Sequence, residues 1–299
     1  MAPMVDGMIA AARRLLRPGD SASAPPPAAP GSQAPHAMPD GTERVQFFVA
    51  GVQKGGTTAL DSILRDHPSV QMARVKEVHH FDDEAVDWSA PDHSRLHAAF
   101  DWNAAGVVRG EATPVTIYWP NALERLRRYH PLAKLIIGMR HPAFRAFSHW
   151  RMETKRGWDT LPFPQAVGTE GRQRVRDAPG GVHRVFSYVE RGLYAGQVER
   201  LLALFPRPQV LFFRTDRLWL EPGQTLDAVQ DFIGVERRLA APRRYVVPLD
   251  SSDLGSIPAD SRLMLDHLFA GDIRHTAALT GLDLADWLRP DYREPMPTG

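Results

Sequence analysis

Short apolar runs alternate with segments of helical spacing along most of this chain. The runs at 45–50, 70–72, 107–111, 134–139 and 209–214 are rich in Val, Ile, Leu and Phe, and they read as buried strands. Apolar positions recur at three- and four-residue steps over 57–66, 121–129, 142–155, 194–205, 225–233, 259–270 and 273–280, which predicts helices. Strands that alternate with helices predict an α/β fold, in which helices cross over between parallel strands and cover both faces of the sheet. The stretch 156–187, with several Gly, Pro and Arg, reads as a mobile insertion near the site. No period repeats along the chain.

The pattern fails at the start. Residues 18–40 are dominated by Pro, Ala, Ser and Gly and predict a disordered linker, behind a frayed terminus (1–17) that has some amphipathic spacing. The boundary is therefore placed between a disordered extension, 1–41, and one folded domain, 42–299. The 299 residues suffice for one large α/β domain, and a formal charge of +1 gives no reason to expect nucleic acid as a partner. The absence of cysteine excludes thiolate catalysis, disulfides and cysteine–zinc sites. The 12 histidines show no metal-ligand spacing, so no metal is expected. No run approaches the roughly 18–20 apolar residues of a membrane span, and the N-terminus lacks the order of a signal peptide. A cytoplasmic location is the expectation.

The chemistry concentrates in four segments. After the first strand stands Gly51-Val52-Gln53-Lys54-Gly55-Gly56-Thr57-Thr58. A helix N-terminus offers unpaired N–H groups and the positive end of a dipole. Gly55 and Gly56 let backbone approach an anion, Lys54 adds charge, and Thr57 and Thr58 add hydroxyls. The domain is thus P-loop-like, yet the lysine precedes the glycine pair instead of following as in G-x-x-x-x-G-K-S/T. That points to a nucleotide bound without metal. A bare structural turn is the bland alternative.

After the fourth strand, Arg140-His141-Pro142 opens a helix that carries Arg145 and Ser148 on one face, the makings of a second anion site. Lys76-Glu77-Val78-His79-His80-Phe81-Asp82 follows the second strand. If extended, it sets Glu77 and His79 on one face, where carboxylate and imidazole could converge on a hydroxyl as general base, while His80 points away as a structural group. A solvated turn is equally compatible with that segment. Glu111, in Gly110-Glu111-Ala112-Thr113-Pro114, is expected to orient a basic side chain of the loop.

These segments, together with Arg191-Gly192-Leu193-Tyr194, Arg214-Thr215-Asp216-Arg217-Leu218 and Leu282-Asp283-Leu284-Ala285-Asp286-Trp287, resemble in their order the sulfotransferases that use 3′-phosphoadenosine 5′-phosphosulfate (PAPS). The look is that of the branch with heparan sulfate sulfotransferases and bacterial relatives. The resemblance implies that Lys54, Gly55, Gly56, Thr57 and Thr58 bind the 5′-phosphosulfate and that Arg140 and Ser148 hold the 3′-phosphate. It further implies that Glu77 is the base, with His79 beside it, that Lys54 stabilises the leaving group, and that no metal is required.

The chain departs from that pattern in places. Ala112 and Thr58 stand where the heparan enzymes often carry Lys and Arg, and 245–261 has no Lys or Arg, leaving Arg243, Arg244 or Arg262 to cover the nucleotide. A smaller or less charged acceptor than a polysulfated glycan is therefore expected: a small molecule, lipid or saccharide, in a bacterial secondary-metabolic setting. Trp88 with Trp102 and Trp150 with Trp158 are candidate cleft or core aromatics. A P-loop kinase of small molecules and a non-catalytic nucleotide binder are the competing readings.

Overall fold

The computed structural model describes residues 43–238 and 256–295. The N-terminal extension, most of the late basic-poor stretch, and Arg243 and Arg244 lie outside the described residues. Five strands form one parallel sheet: β1 (Phe47–Gly51), β2 (Val70–Met72), β3 (Val108–Glu111), β4 (Lys134–Met139) and β5 (Val210–Arg214), in the order β2-β3-β1-β4-β5.

Alternation along β1 explains the layers. Phe47 and Val49 pack on one face with α1 (Thr57–Arg65), which supplies Leu60 and Leu64. Phe48 and Ala50 face the other way into the larger core. In that core lie α3 (Ala122–Tyr129), α4 (Pro142–Lys155) and α7 (Tyr194–Leu204), counting the short α2 (Ser94–His97) and the α5–α6 pair between them. Both faces of every central strand are dry, which is why the strands read as unbroken apolar runs rather than alternating ones.

Two expectations need correction. The stretch 156–187 is ordered: it forms α5 (Phe163–Val167) and α6 (Thr169–Arg176), and Phe163, Val167 and Val175 are buried. The Phe163 ring meets Phe147 edge-on at 4.9 Å, Arg174 pairs with buried Asp159 at 3.0 Å, and Tyr188 donates to the same carboxylate at 2.8 Å. Glycine and proline were poor guides because the apolar anchors are spaced widely across the segment. The two helices expected over 259–280 are one. After α8 (Arg217–Leu220) and α9 (Pro222–Ile233), α10 runs unbroken from Ala259 to Thr280. Leu265, Phe269, Ile273, Thr276 and Thr280 form one buried stripe across Gly271, and that burial outweighs the roughly 1 kcal/mol a mid-helix glycine costs.

The order of strands fixes where a ligand can enter. From β1 the chain leaves toward β3 and β2; from β4 it leaves toward β5. The carboxyl ends of these two neighbours therefore open on a crevice between diverging connections, the place where open α/β sheets take ligands. Residues 52–56 and 140–142 lie there. No described helix is long and apolar enough to cross a membrane.

Candidate active site at the carboxyl ends of β1 and β4

The turn after β1 is built with its carbonyls facing the protein. Gly55 donates to the Val52 carbonyl at 2.8 Å, Arg140 donates to that of Lys54 at 3.1 Å, and the Thr215 hydroxyl donates to that of Gly55 at 3.0 Å. With three acceptors engaged behind it, the turn is left with N–H groups for its open side. No side chain caps α1, whose N-cap is Gly56 in the left-handed region at φ 77°. An uncapped helix start of this kind is a ready anion site. A Cβ on Gly55 would lie 2.4 Å from the Gly138 carbonyl, so the turn can sit against β4 only without a side chain there. Thr57 is buried and Thr58 is exposed, so the two hydroxyls are not equivalent.

Lys54 also sits at positive φ, 69°, a costly conformation for a residue with a Cβ. Its Nζ has Met152 Sδ at 3.5 Å. Burial, then the positive charges of Arg140 and Arg156, push its pKa down to about 8. A lysine held among cations in a dry setting is poised to be re-stabilised by an anion.

Arg140 is at the carboxyl end of β4, as the sequence implied, and its Nη1 reaches back to the Lys54 carbonyl. Pro142 is in the first turn of α4, and Ser148 is nearly buried along that helix. Arg145 does not share an exposed face with Ser148: it is fully buried and donates inward to the Tyr188 carbonyl.

Glu77 and His79 do converge. His79 Nε2 is 3.3 Å from Glu77 Oε2, and Nδ1 is 2.8 Å from Asp82 Oδ2. Extended backbone is not the cause, because His79 has φ 53°. The segment is held instead from β3: Val78 N–H donates to Glu111 Oε1 at 3.2 Å, and His79 N–H to the Thr113 hydroxyl at 3.3 Å, which itself donates to Glu111 at 2.5 Å. Glu111 therefore orients backbone rather than a basic side chain, and its burial pushes its pKa up to about 7. His80, as expected, is internal and bonded to His93 at 2.8 Å.

Electrostatics separate the two members of the pair. Burial raises the Glu77 pKa, but the hydrogen bonds and charges of His79 and Lys76 overcome this and hold it below the ordinary value. Hydrogen bonds to Asp82 and then Glu77 raise His79 to about 9. Near neutrality these shifts favour a carboxylate at Glu77 and an imidazolium at His79.

A bridge between the two halves was not foreseen. Arg191 Nη1 donates to the Gln53 side chain in the turn, and its Nη2 to the Arg184 carbonyl at 2.8 Å. Arg184 Nη1 donates to Asp82 Oδ2 at 2.6 Å, on the oxygen that meets His79. A continuous polar chain thus runs from the anion turn to Glu77. Its middle, 183–191, straddles the end of the supposed mobile insertion, with Arg184 inside it, and only the Arg191-Gly192-Leu193-Tyr194 motif hinted at it. Of the four tryptophans singled out, Trp150 is buried, Trp88 and Trp102 pack on the core, and Trp158 is 59% exposed with Arg156 stacked 5.1 Å above its ring. Arg262, the one late-loop candidate described, pairs with Asp266 at 2.7 Å.

Known proteins resemble this chain in sequence and fold. Residues 44–245, more than half of the chain, match the family model described as Sulfotransferase domain. Human heparan sulfate glucosamine 3-O-sulfotransferase 6 is 34% identical over 221 residues, which covers 73% of this chain and 60% of that protein. Human heparan sulfate glucosamine 3-O-sulfotransferase 3B1 is 30% identical over 203 residues, covering 67% and 48%. The chain thus spans about half to three-fifths of the length of these curated relatives. The crystal structure of a sulfotransferase from Alicyclobacillus acidocaldarius superposes with a TM-score of 0.71 at 27% identity, over 83% of this chain and 100% of that one. By the extent of these matches, the chain belongs to the sulfotransferase domain family.

Proposed function

We propose that the protein transfers a sulfuryl group from PAPS to an acceptor hydroxyl, or less readily an amine. The observation that carries this is an uncapped, lysine-bearing anion turn joined through Arg191, Arg184 and Asp82 to an ionised carboxylate, Glu77. The donor set fits a phosphosulfate: the N–H groups of Gly56, Thr57 and Thr58 with the Lys54 ammonium at one end, while Gly55 lets the backbone approach closely. Arg140 and Ser148 are assigned to the 3′-phosphate. In the reaction Glu77 takes the acceptor's proton as the acceptor oxygen bonds to sulfur. The bond from sulfur to the bridging oxygen breaks, adenosine 3′,5′-bisphosphate keeps the electron pair, and Lys54 stabilises the charge on that oxygen. His79, as an imidazolium, keeps Glu77 ionised and aimed.

The acceptor is read as a saccharide or small molecule. Similarity to heparan sulfate glucosamine 3-O-sulfotransferases supports a sugar hydroxyl, and exposed Trp158 with Arg156, one turn beyond the residue that meets Lys54, offers a ring-stacking surface. A lipid acceptor remains within the same reading, as does a cytoplasmic, bacterial role in secondary metabolism, supported by the cysteine-free composition. The kinase alternative is disfavoured by the family match and by the displaced lysine.

Thermal unfolding provides the test. Adenosine 3′,5′-bisphosphate at 100 times its Kd should stabilise the fold by about 2.7 kcal/mol without added metal. Stabilisation by ATP that needs Mg²⁺, with none from the bisphosphate, would sink the proposal.

The pH dependence follows from Lys54. Its pKa of about 8 in the free protein is depressed, and a bound phosphosulfate or phosphate must raise it. Binding near pH 8 therefore takes up a proton, and affinity falls as pH rises through that value. Calorimetry with adenosine 3′,5′-bisphosphate in two buffers of different ionisation enthalpy should show net proton uptake at pH 8, well above the second ionisation of its phosphates at about pH 6. Proton release at pH 8 would refute the assignment of Lys54.

A further inference from the structure

Arg140 already holds a carboxylate. Its Nε lies 2.7 Å from Glu294 Oε1 and its Nη2 2.5 Å from Oε2, a two-point pair that uses the side edge of the guanidinium. Both side chains are mostly shielded, at 22% and 17% exposure, so water screens the pair only weakly. The partners are 154 residues apart in sequence. The carboxylate comes from the segment after Trp287, which passes over the start of α4.

That segment is anchored one step away from the latch. The Tyr292 ring stacks on His141 at 5.1 Å with planes 12° apart, its hydroxyl donates to Asp216 at 3.3 Å, and its carbonyl accepts from Arg262 at 3.3 Å. Only Arg293 separates this anchor from Glu294. Glu294 can therefore leave Arg140 by rotation about a few bonds at Arg293 while Tyr292 keeps the segment docked.

We propose that Glu294 is a built-in competitor for the 3′-phosphate: it occupies the edge of Arg140 that the phosphate would use, and nucleotide binding must displace it. This rests on the reading of Arg140 as the 3′-phosphate residue. A carboxylate carries one negative charge where a phosphate carries up to two, with a tetrahedral set of oxygens. Only a ligand that bears a 3′-phosphate has to break the Arg140–Glu294 pair, so its affinity is lowered by the exchange while that of a nucleotide without one is not. Glu294 keeps Arg140 neutralised until a 3′-phosphate displaces it, and so moderates the affinity for 3′-phosphorylated nucleotides.

The test is calorimetric titration of the 299-residue chain and its Glu294→Gln variant with two ligands: adenosine 3′,5′-bisphosphate, and adenosine 5′-phosphosulfate, which has no 3′-phosphate. Glutamine keeps the shape and removes the charge. The substitution should tighten bisphosphate binding about tenfold and change phosphosulfate binding less than twofold. Unchanged or weaker bisphosphate binding in Glu294→Gln overturns the competitor role and leaves the proposed function standing. Equal tightening of both ligands also overturns it, because Glu294 would then act through overall charge. If neither protein binds the bisphosphate, the proposed function fails and this inference fails with it.

Discussion

Replacing Glu77 with glutamine is expected to lower kcat about a thousandfold while leaving the affinity for adenosine 3′,5′-bisphosphate within a factor of two. General-base catalysis contributes roughly 10²–10⁴-fold, and glutamine keeps the size of the side chain while losing the proton acceptor. The backbone around it is held from Glu111 and Thr113, not by the Glu77 carboxylate, so the segment should stay in place. His79 loses one of its two carboxylate partners but keeps the stronger, Asp82. Its pKa should fall from about 9 yet stay above the ordinary value. A single-turnover assay beside a nucleotide titration separates the outcomes. Activity within a few-fold of wild type would show that Glu77 is not the base, and His79 would become the candidate.

Lys54→Ala and Lys54→Gly should both reduce kcat by about 10²–10³-fold, the usual loss when one group stabilising developing charge is removed. They should differ in stability. At φ 69° alanine retains the strain of the left-handed region whereas glycine does not, so the glycine variant should be more stable than the alanine variant by about 1 kcal/mol. Both also lose a buried ammonium whose burial and cationic neighbours disfavour its charge. A strained, charge-stressed residue at this position is stability given up for function. Denaturant unfolding of the pair is the measurement. Equal stability would mean that the left-handed backbone at position 54 costs nothing, and retained kcat would remove Lys54 from the reaction.

Much of this arrangement was legible because it is local. The turn at 51–58 declares itself through residues that touch one another within eight positions, and Gly55 is required by the nearness of β4. Glu77 and His79 were paired for a reason the structure replaces: they meet through a left-handed His79 and through bonds to β3, not through extended backbone. Glu111 was noticed and given the wrong partner, since a buried carboxylate can be satisfied by backbone N–H groups as well as by a cation.

What the sequence determined by itself was the set of strands and helices, read from apolar periodicity, and the anion turn, read from glycine, lysine and threonine at a strand-to-helix junction. Both follow from interactions between residues close in the chain. The tertiary structure alone decided the strand order that opens the crevice between β1 and β4, the Gln53–Arg191–Arg184–Asp82 bridge, and the Glu294 carboxylate on Arg140. Apart from the short Arg191–Arg184 step, the side-chain contacts among these join residues 102 to 154 positions apart, and an arginine or glutamate at such a distance looks the same in sequence whether it is solvated or paired. Burial decides between the two states, and burial exists only once the sheet has assembled and its helices have closed over it.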